Sequence, residues 1–329
     1  MSGECNGKCD SCSKINSCSD PKRERWEQRL KQSISKIRHK IAVISGKGGV
    51  GKSTVTVNLA MAFAMHGHAG RVGILDADIH GPTVPKMLGL KGQRLQANPI
   101  GIFPVLGPLG IRVVSMDFLL PNDEAPVIWR GPLKMRAIQQ FLSDIMWGEL
   151  DFLFIDLPPG TGDEPLSVMQ LIPDMDGVVI VTIPSEVSQL VVKKAVTFAR
   201  QLGVSVIGII ENMSGFVCPK CGTEIEIFMV GGGKKIAEDL AVPFLGRIPI
   251  DPEICSDSDF GKPFIIGHAN SPASKAFGEI VEKIEHFLEH KSLLENPPKQ
   301  RSSRSQKSDG NKPKPESRTK RERNGKGGC

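Results

Sequence analysis

From Lys40 onward, short continuous apolar runs alternate with longer stretches in which apolar residues recur at helical spacing. The short runs are typical of strands that are buried on both faces, and the longer stretches are typical of amphipathic helices. Strands are predicted at residues 41–45, 71–75, 111–115, 152–155, 177–183, 205–211 and 244–248. Helices are predicted at residues 22–39, 51–66, 132–146, 187–202, 232–240 and 272–290. This alternation indicates an α/β fold with a mostly parallel central sheet and helices on both faces.

Both ends of the chain lack this periodicity, and three parts are therefore predicted. Residues 1–21 form a Cys-rich segment with almost nothing apolar to pack, so we expect it to be ordered by a bound metal. Residues 22–290 form the α/β domain. Residues 291–329 are rich in Pro, Ser, Lys and Arg, which predicts a disordered basic tail. A solvated tail is the simpler interpretation, and an arm that binds nucleic acid or an acidic partner is the alternative.

The net charge of +6 is concentrated in the tail. Residues 291–329 contain twelve Lys or Arg and four Asp or Glu, which leaves residues 1–290 at −2. We therefore expect no nucleic-acid surface on the domain. No apolar run reaches the roughly 18 residues of a membrane span, and the N-terminus has no signal-peptide core, so we expect a cytoplasmic protein without a membrane partner.

A glycine-rich stretch, SGKGGVGKST at residues 45–54, joins the first strand to the first helix of the domain. Strand, glycine-rich loop and helix arrive in the order of a phosphate-binding P-loop, whose backbone N–H groups surround phosphate. Lys52 would reach the β- and γ-phosphates of a nucleotide, and the Ser53 hydroxyl would bind Mg²⁺. The candidate nucleotide-binding residues are Gly46, Lys47, Gly48, Gly49, Val50, Gly51, Lys52, Ser53 and Thr54.

Acidic residues follow two of the predicted strands, at the sheet edge where ligands gather in open parallel sheets. Asp156 ends the fourth strand and is expected to hold Mg²⁺ directly or through water. Asp78 follows the second strand and would orient the attacking water, while Gly160 would offer its N–H to the γ-phosphate. Taken singly, an Asp at a strand end is as often a helix cap, but the neighbouring P-loop favours catalysis.

Eight cysteines in a reducing compartment are more typical of metal ligands or reactive thiols than of disulfides. Cys218 and Cys221 form a pair that fills half of a tetrahedral site, so the other half is expected from elsewhere or from a second copy across a twofold axis. A zinc-binding knuckle is the alternative. The four N-terminal thiols suit zinc or a [4Fe-4S] cluster, or are incidental; they are Cys5, Cys9, Cys12 and Cys18. Cys255 is expected to be a small buried side chain.

Lys47 together with Lys52 resembles the deviant Walker A loop of the MinD/ParA-like ATPases. In that class the first lysine reaches the nucleotide of the partner subunit, which implies an ATP-dependent homodimer. The resemblance also identifies residues 76–82 and 156–163 as switch regions. It makes Asn212 an adenine contact, with residues 249–253 as the other wall of the adenine site. The candidate catalytic residues are Lys47, Lys52, Asp78 and Asp156.

The combination of this P-loop with Glu211-Asn212-Met213 and Cys218-Pro219-Lys220-Cys221 resembles the Mrp/ApbC/Nbp family of iron-sulfur cluster carriers. The resemblance implies that Cys218 and Cys221 bridge two subunits through a labile [4Fe-4S] cluster, which is passed to apo iron-sulfur proteins. The N-terminal cysteines resemble the Nbp branch, where they hold a second, more stable [4Fe-4S] cluster. The first of them stands farther upstream in that branch than Cys5 does here.

Two other functions share parts of this pattern. A positioning or partition ATPase of the MinD/ParA type would use the cysteines for structural zinc, although the tail lacks the apolar residues of a membrane-binding helix. An electron-transfer ATPase like the nitrogenase iron protein has bridging cysteines that stand apart in sequence, unlike the pair here. The preferred hypothesis is an ATP-dependent carrier of [4Fe-4S] clusters.

Overall fold

A central sheet of eight strands runs through the residues that the structure, a computed structural model, describes: 21–79, 81–119, 131–218, 220–227 and 230–295. The strands are β1 (Ile37–Ser45), β2 (Val72–Asp76), β5 (Val105–Leu106), β6 (Arg112–Ser115), β7 (Leu150–Asp156), β8 (Gly177–Thr182), β9 (Val206–Glu211) and β12 (Phe244–Arg247). Their order across the sheet is β12-β9-β8-β1-β7-β2-β6-β5, and every neighbouring pair is parallel except β5 with β6. The predicted α/β fold is therefore confirmed.

In the part of the chain that the structure describes, two short hairpins lie outside this sheet. They are β3 (Gln96–Asn98) with β4 (Gly101–Phe103), and β10 (Phe216–Val217) with β11 (Glu224–Ile225). The helices are α1 (Pro21–Ile34), α2 (Lys52–Phe63), α3 (Val84–Met87), α4 (Gly131–Ser143), α5 (Asp163–Leu171), α6 (Glu186–Gln201), α7 (Gly232–Asp239), α8 (Pro252–Phe260), α9 (Phe264–Gly267) and α10 (Pro272–Glu295).

The apolar strands pack against helices on both faces of the sheet. Along β1, Ile41 and Val43 belong to the core beneath α2 and α10, whereas Ala42 and Ile44 belong to the core beneath α4 and α6. This alternation follows from the period of two in a strand, which sends successive side chains to opposite faces. It explains why the strand sequences are continuously apolar.

Several predicted element boundaries were wrong. The helix predicted at 22–39 ends at Ile34, because Ile37 already pairs with Leu150 as the first residue of β1. The helix predicted at 51–66 ends at Phe63 and gives way to a wider turn in which Gly67 has a φ of 101°. The last helix continues to Glu295, beyond the predicted end at 290. Helices α5 and α8 were not predicted, since their apolar residues do not recur clearly at helical spacing.

Some predictions lie outside the described residues: the metal site of Cys5, Cys9, Cys12 and Cys18, and the basic tail from residue 296 onward. Among the described helices, none is both long and apolar enough to cross a membrane.

Candidate nucleotide and thiolate sites

The P-loop connects the carboxyl end of β1 to the start of α2, as the sequence predicted. Gly49 and Gly51 have φ values of 77° and 78°, in the left-handed region that favours glycine. Two of its glycines also lie against neighbouring side chains. A Cβ on Gly46 would lie 2.7 Å from the Val191 side chain, and one on Gly51 would lie 2.3 Å from Nδ2 of Asn212. Space and backbone conformation therefore both require glycine at position 51.

Four polar side chains meet at the start of α2 and the end of β7. The Lys52 ammonium lies 2.7 Å from Asp156 Oδ1 and 3.2 Å from the Ser53 hydroxyl. Asp156 accepts hydrogen bonds from Ser53 Oγ at 2.5 Å and from Thr56 Oγ1 at 2.8 Å. Thr56 was not identified from the sequence, because its contact with Asp156 depends on how α2 packs on the sheet. The predicted phosphate-binding lysine and the predicted Mg²⁺ ligands thus occupy one cluster.

Asp76, at the end of β2, adds a second buried carboxylate near this cluster. It accepts hydrogen bonds from the Ser115 hydroxyl at 3.1 Å and from the backbone N–H of Asp78 at 3.2 Å. Burial raises the pKa of Asp76 well above its ordinary value, and the charge on Asp156 raises it further. Lys52 and Ser115 act in the opposite direction. The fold therefore destabilises the charge on Asp76. Asp78, two residues later, is half-buried.

We expect Asp76→Asn to stabilise the nucleotide-free protein above the ordinary carboxyl pKa of 3.8. A raised folded-state pKa means that the folded protein holds this proton more tightly than the unfolded chain. Stability from Asp76 is therefore fully present below pH 3.8 and is lost as the pH rises through the raised folded-state value. Asparagine remains neutral, so the difference in thermal midpoint between variant and wild type should grow with pH.

Thermal unfolding across the pH range tests this, with Asp259→Asn as the control. Asp259 is an exposed partner of Lys86 at 3.1 Å, so its replacement should leave the pH profile unchanged. Identical pH profiles for Asp76→Asn and the wild type would show that Asp76 titrates as it does in the unfolded chain.

The remaining predicted catalytic positions lie around the P-loop. Gly160 has a φ of 96° and donates its N–H to the Ser45 carbonyl at 2.8 Å, so this group is engaged within the protein. Lys47 is half-buried, and its carbonyl accepts a hydrogen bond from Ser45 Oγ at 3.0 Å. His80, within the predicted first switch, lies outside the described residues.

On the other side of the P-loop, Asn212 follows β9 and donates from Nδ2 to the Val50 carbonyl at 2.9 Å. Its own backbone N–H donates to the Thr182 carbonyl at 2.7 Å. The predicted second adenine wall ends in the first turn of α8, where Asp251 accepts a hydrogen bond from the Glu253 N–H at 3.1 Å. Asn212 is therefore fixed beside the P-loop.

The paired cysteines lie at the tip of the β10–β11 hairpin. The Cys218 N–H donates to the Thr223 carbonyl at 2.9 Å, and the Gly222 N–H donates to the Cys218 carbonyl at 2.8 Å. Cys218 is half-buried and Cys221 is exposed, and both are free thiols. Hydrogen bonding from the Thr223 side chain and backbone lowers the pKa of Cys221, and Cys218 adds to this effect. A lowered pKa favours the thiolate, which is the form that binds metal.

Cys255 corrects one expectation from the sequence. It is exposed rather than buried, because α8 lies on the surface and buries none of its residues. It is also a free thiol, and it belongs to a different part of the fold from the hairpin pair.

Glu211 is a site residue that sequence reasoning did not assign a role. Its fully buried carboxylate accepts hydrogen bonds from the Ser214 hydroxyl, from the Gly231 N–H at 2.9 Å and from the Gly233 N–H. The signal for it was a charged residue at the end of a strand that is otherwise apolar. Its partners lie on both sides of the cysteine hairpin.

Comparison with known proteins gives one family match. The sequence model of the family described as "ParA: NUBPL iron-transfer P-loop NTPase" matches residues 36–285. A protein of Methanocaldococcus jannaschii named "Iron-sulfur cluster carrier protein" is 54% identical over 290 residues, which cover 88% of this chain and 99% of the relative. A protein of the same name from Saccharolobus solfataricus is 55% identical over 261 residues, or 79% of this chain and 88% of the relative.

Solved structures agree with this match. A nucleotide-binding protein from Archaeoglobus fulgidus, solved in complex with ADP, is 42% identical, with a TM-score of 0.66 over 76% of this chain and 95% of that one. The cell-division protein MinD from Aquifex aeolicus has a TM-score of 0.55 at 21% identity, over 75% of this chain and 97% of that one. At that identity the MinD likeness shows the shared fold and nothing more.

Proposed function

This chain belongs to the family of NUBPL iron-transfer P-loop NTPases, and we propose that it is an ATP-dependent carrier that binds [4Fe-4S] clusters and transfers them to apo iron-sulfur proteins. The observation that carries the proposal is the presence, in one domain, of a complete P-loop cluster and a hairpin that presents two free thiols. Relatives that are about half identical and bear the name of iron-sulfur cluster carriers support it.

The nucleotide in this proposal is ATP, held by the P-loop from Gly46 to Thr54 with Asn212 at the adenine. Mg²⁺ fits the oxygen atoms at the start of α2 and the end of β7, because the Ser53 hydroxyl and the Asp156 carboxylate are ligands that this ion prefers. They would hold the ion, which neutralises phosphate charge when it is bound. Lys52 would stabilise the charge that develops on the phosphates during hydrolysis. We assign Asp78 the orientation of the attacking water.

A homodimer completes the proposed cluster site. Two thiolates fill half of a tetrahedral set, and a second copy would bring the other two. Exposed apolar side chains beside the P-loop and on the cysteine hairpin support such an interface. Leu190 is 67% exposed beside Val191, which packs on the P-loop, and Ile225 and Ile227 are 46% and 53% exposed near the thiols. Lys47 would then reach the nucleotide of the partner subunit.

Transfer of the cluster would be an exchange of thiolate ligands. The bonds from iron to Cys218 and Cys221 break as bonds to the cysteines of the recipient form, and no change in oxidation state is needed. The lowered pKa of Cys221 supports this role, since a stable thiolate is a good leaving ligand. We propose that the N-terminal cysteines, which lie outside the described residues, hold a second cluster of the same type.

The proposal is tested by purifying the protein without oxygen and counting iron, sulfide and zinc. We expect the visible and EPR spectra of [4Fe-4S] clusters, and release of one cluster per dimer when an apo ferredoxin is added. Zinc alone after reconstitution with iron and sulfide would contradict the carrier function. It would favour the alternative, a MinD/ParA-like positioning or partition ATPase with structural zinc.

A further inference from the structure

The segment that carries the two cysteines is attached to the domain at both of its ends by one side chain. Ser214 lies just before strand β10, and Gly231 and Gly233 follow strand β11 at the start of α7. All three donate hydrogen bonds to the carboxylate of Glu211: Ser214 and Gly231 to Oε1, and Gly233 to Oε2. A single buried carboxylate therefore closes the base of the hairpin segment, residues 214–231.

The fit around Glu211 is close and uses both of its carboxyl oxygens as acceptors. Among the described residues no cation pairs with it, so its stabilisation comes from the three donors and from the N-terminal end of α7. A Cβ on Gly233 would lie 2.9 Å from Glu211 Oε2, so glycine is needed for this approach. Removing one acceptor oxygen would leave a buried N–H without a partner, which is costly.

The neighbouring residues connect the same carboxylate to the nucleotide site. Asn212 donates to the Val50 carbonyl of the P-loop. A Cβ on Gly51 would lie 3.6 Å from Met213 Cε, so the turn after β9 touches the loop that would hold phosphate. Met213 itself has a φ of 55°, a conformation that costs a non-glycine residue energy and that is found at functional sites.

The turn after β9, which contains Asn212 and Met213, is also joined to the start of β10 by hydrogen bonds with the loop after β12. The Ser214 N–H donates to the Ile248 carbonyl at 2.9 Å, and the Ile250 N–H donates to the Gly215 carbonyl at 2.7 Å. Phe216, the next residue, forms a bridge with Ile250 and pairs with Ile225 across the hairpin. A displacement of residues 212–215 would therefore be passed to the strand that ends beside Cys218.

We propose that Glu211 is the positioning residue that transmits the nucleotide state of the P-loop to the Cys218–Cys221 hairpin. The proposal rests on the proposed function for its biological meaning, since the hairpin carries the cluster thiolates. The physical claim is that nucleotide moves Asn212 and Met213, and that the Glu211 carboxylate moves both ends of the hairpin with them. Without the carboxylate, nucleotide still binds but the hairpin no longer responds.

The experiment uses the full chain freed of iron by a chelator, so its result does not depend on cluster chemistry. Amide hydrogen exchange of peptides covering residues 216–225 is measured with and without saturating Mg·AMP-PNP. We expect nucleotide to change hairpin exchange in the wild type by about fivefold or more, the lower end of ordinary coupling between two sites. In Glu211→Gln the ratio of the exchange rates with and without nucleotide should fall to about one. A glutamine side chain has one oxygen that accepts hydrogen bonds, and its NH₂ group cannot accept them.

Glu224→Gln is the matched control, since it removes a partly exposed carboxylate from the same hairpin, where it pairs with Arg247 at 2.9 Å. It should keep the wild-type ratio. Ser214→Ala removes one of the three hydrogen-bond donors to Glu211 and no charge. Its exchange ratio should lie between those of the wild type and Glu211→Gln. If Glu211→Gln does not fold, this variant tests the proposal in its place. A merely structural Glu211 would lower the thermal midpoint but leave the nucleotide ratio unchanged.

Two results would overturn the proposal: a hairpin that ignores nucleotide in the wild type, or a full response in both Glu211→Gln and Ser214→Ala. Neither result depends on whether iron is bound. The iron and sulfide count described above decides the carrier function separately, so failure of one is distinguishable from failure of the other.

Discussion

Lys52→Ala is expected to lower ATP hydrolysis by roughly 10²–10³-fold, the usual cost of removing one group that stabilises transition-state charge. In the structure the Lys52 ammonium lies 2.7 Å from Asp156, and its side chain is 6% exposed, so its charge is largely shielded from solvent. The hairpin thiols belong to a different part of the fold, after β9. We therefore expect the variant to bind iron as the wild type does. Phosphate release and iron per chain are the two measurements.

Lys52→Ala is also expected to destabilise the fold, and this effect must be distinguished from its effect on catalysis. Lys52 is the cation that offsets the buried charge of Asp156, and it also lowers the pKa of Asp76. Removing one partner of a buried ion pair typically costs about 3–5 kcal/mol. Lys52→Gln keeps a hydrogen-bond donor toward Asp156 and should fold better while remaining inactive. Lys193→Ala, at an exposed position of α6, is the matched control and should keep full hydrolysis.

Loss of hydrolysis and loss of iron in parallel, in a Lys52→Gln protein with a normal thermal midpoint, would contradict separate sites. It would mean that the hairpin holds iron only while nucleotide is being turned over. Hydrolysis close to the wild-type rate in both Lys52 variants would remove the P-loop lysine from the mechanism.

The double variant Cys218→Ala/Cys221→Ala is expected to lose one [4Fe-4S] cluster per dimer and all transfer to an apo ferredoxin. Thiolates are the ligands that hold such clusters, and alanine offers no replacement. Both side chains lie at the tip of the hairpin and outside the core, so the domain should remain folded. Iron and sulfide content, the visible spectrum and the transfer rate are measured on anaerobic protein.

Cys255→Ala is the control for this variant, because Cys255 is also an exposed free thiol but lies on α8. It should keep the full iron content and the full transfer rate. Transfer that survives in the double variant would assign the labile cluster to other cysteines, and the N-terminal segment would become the carrier site. Retained ATP hydrolysis in the double variant would further separate the two chemistries.

Much of the architecture follows from local sequence. Seven of the eight strands of the central sheet were found because each is a short apolar run, and a strand that is buried on both faces requires such a run. The short strands β3, β4, β5, β10 and β11 were not predicted, because two or three residues are too few to show a pattern. The P-loop was found because glycines, lysine and serine stand at a fixed spacing between a strand and a helix. The boundary between α1 and β1 could not be predicted in this way. Ile37 continues the apolar spacing of α1, but it belongs to β1 because it pairs with Leu150 of the neighbouring strand.

The sequence by itself determined the order of the long strands and of most long helices, the phosphate-binding loop and the pair of thiols, because each is a property of neighbouring residues. Only the tertiary structure decided which distant side chains meet. Ser53 and Asp156 are 103 positions apart, and packing of α2 on β7 brings them to 2.5 Å. Glu211 meets Gly231 and Gly233 because α7 begins beside the end of β9. Such contacts depend on packing between elements, and no local pattern of residues encodes that packing.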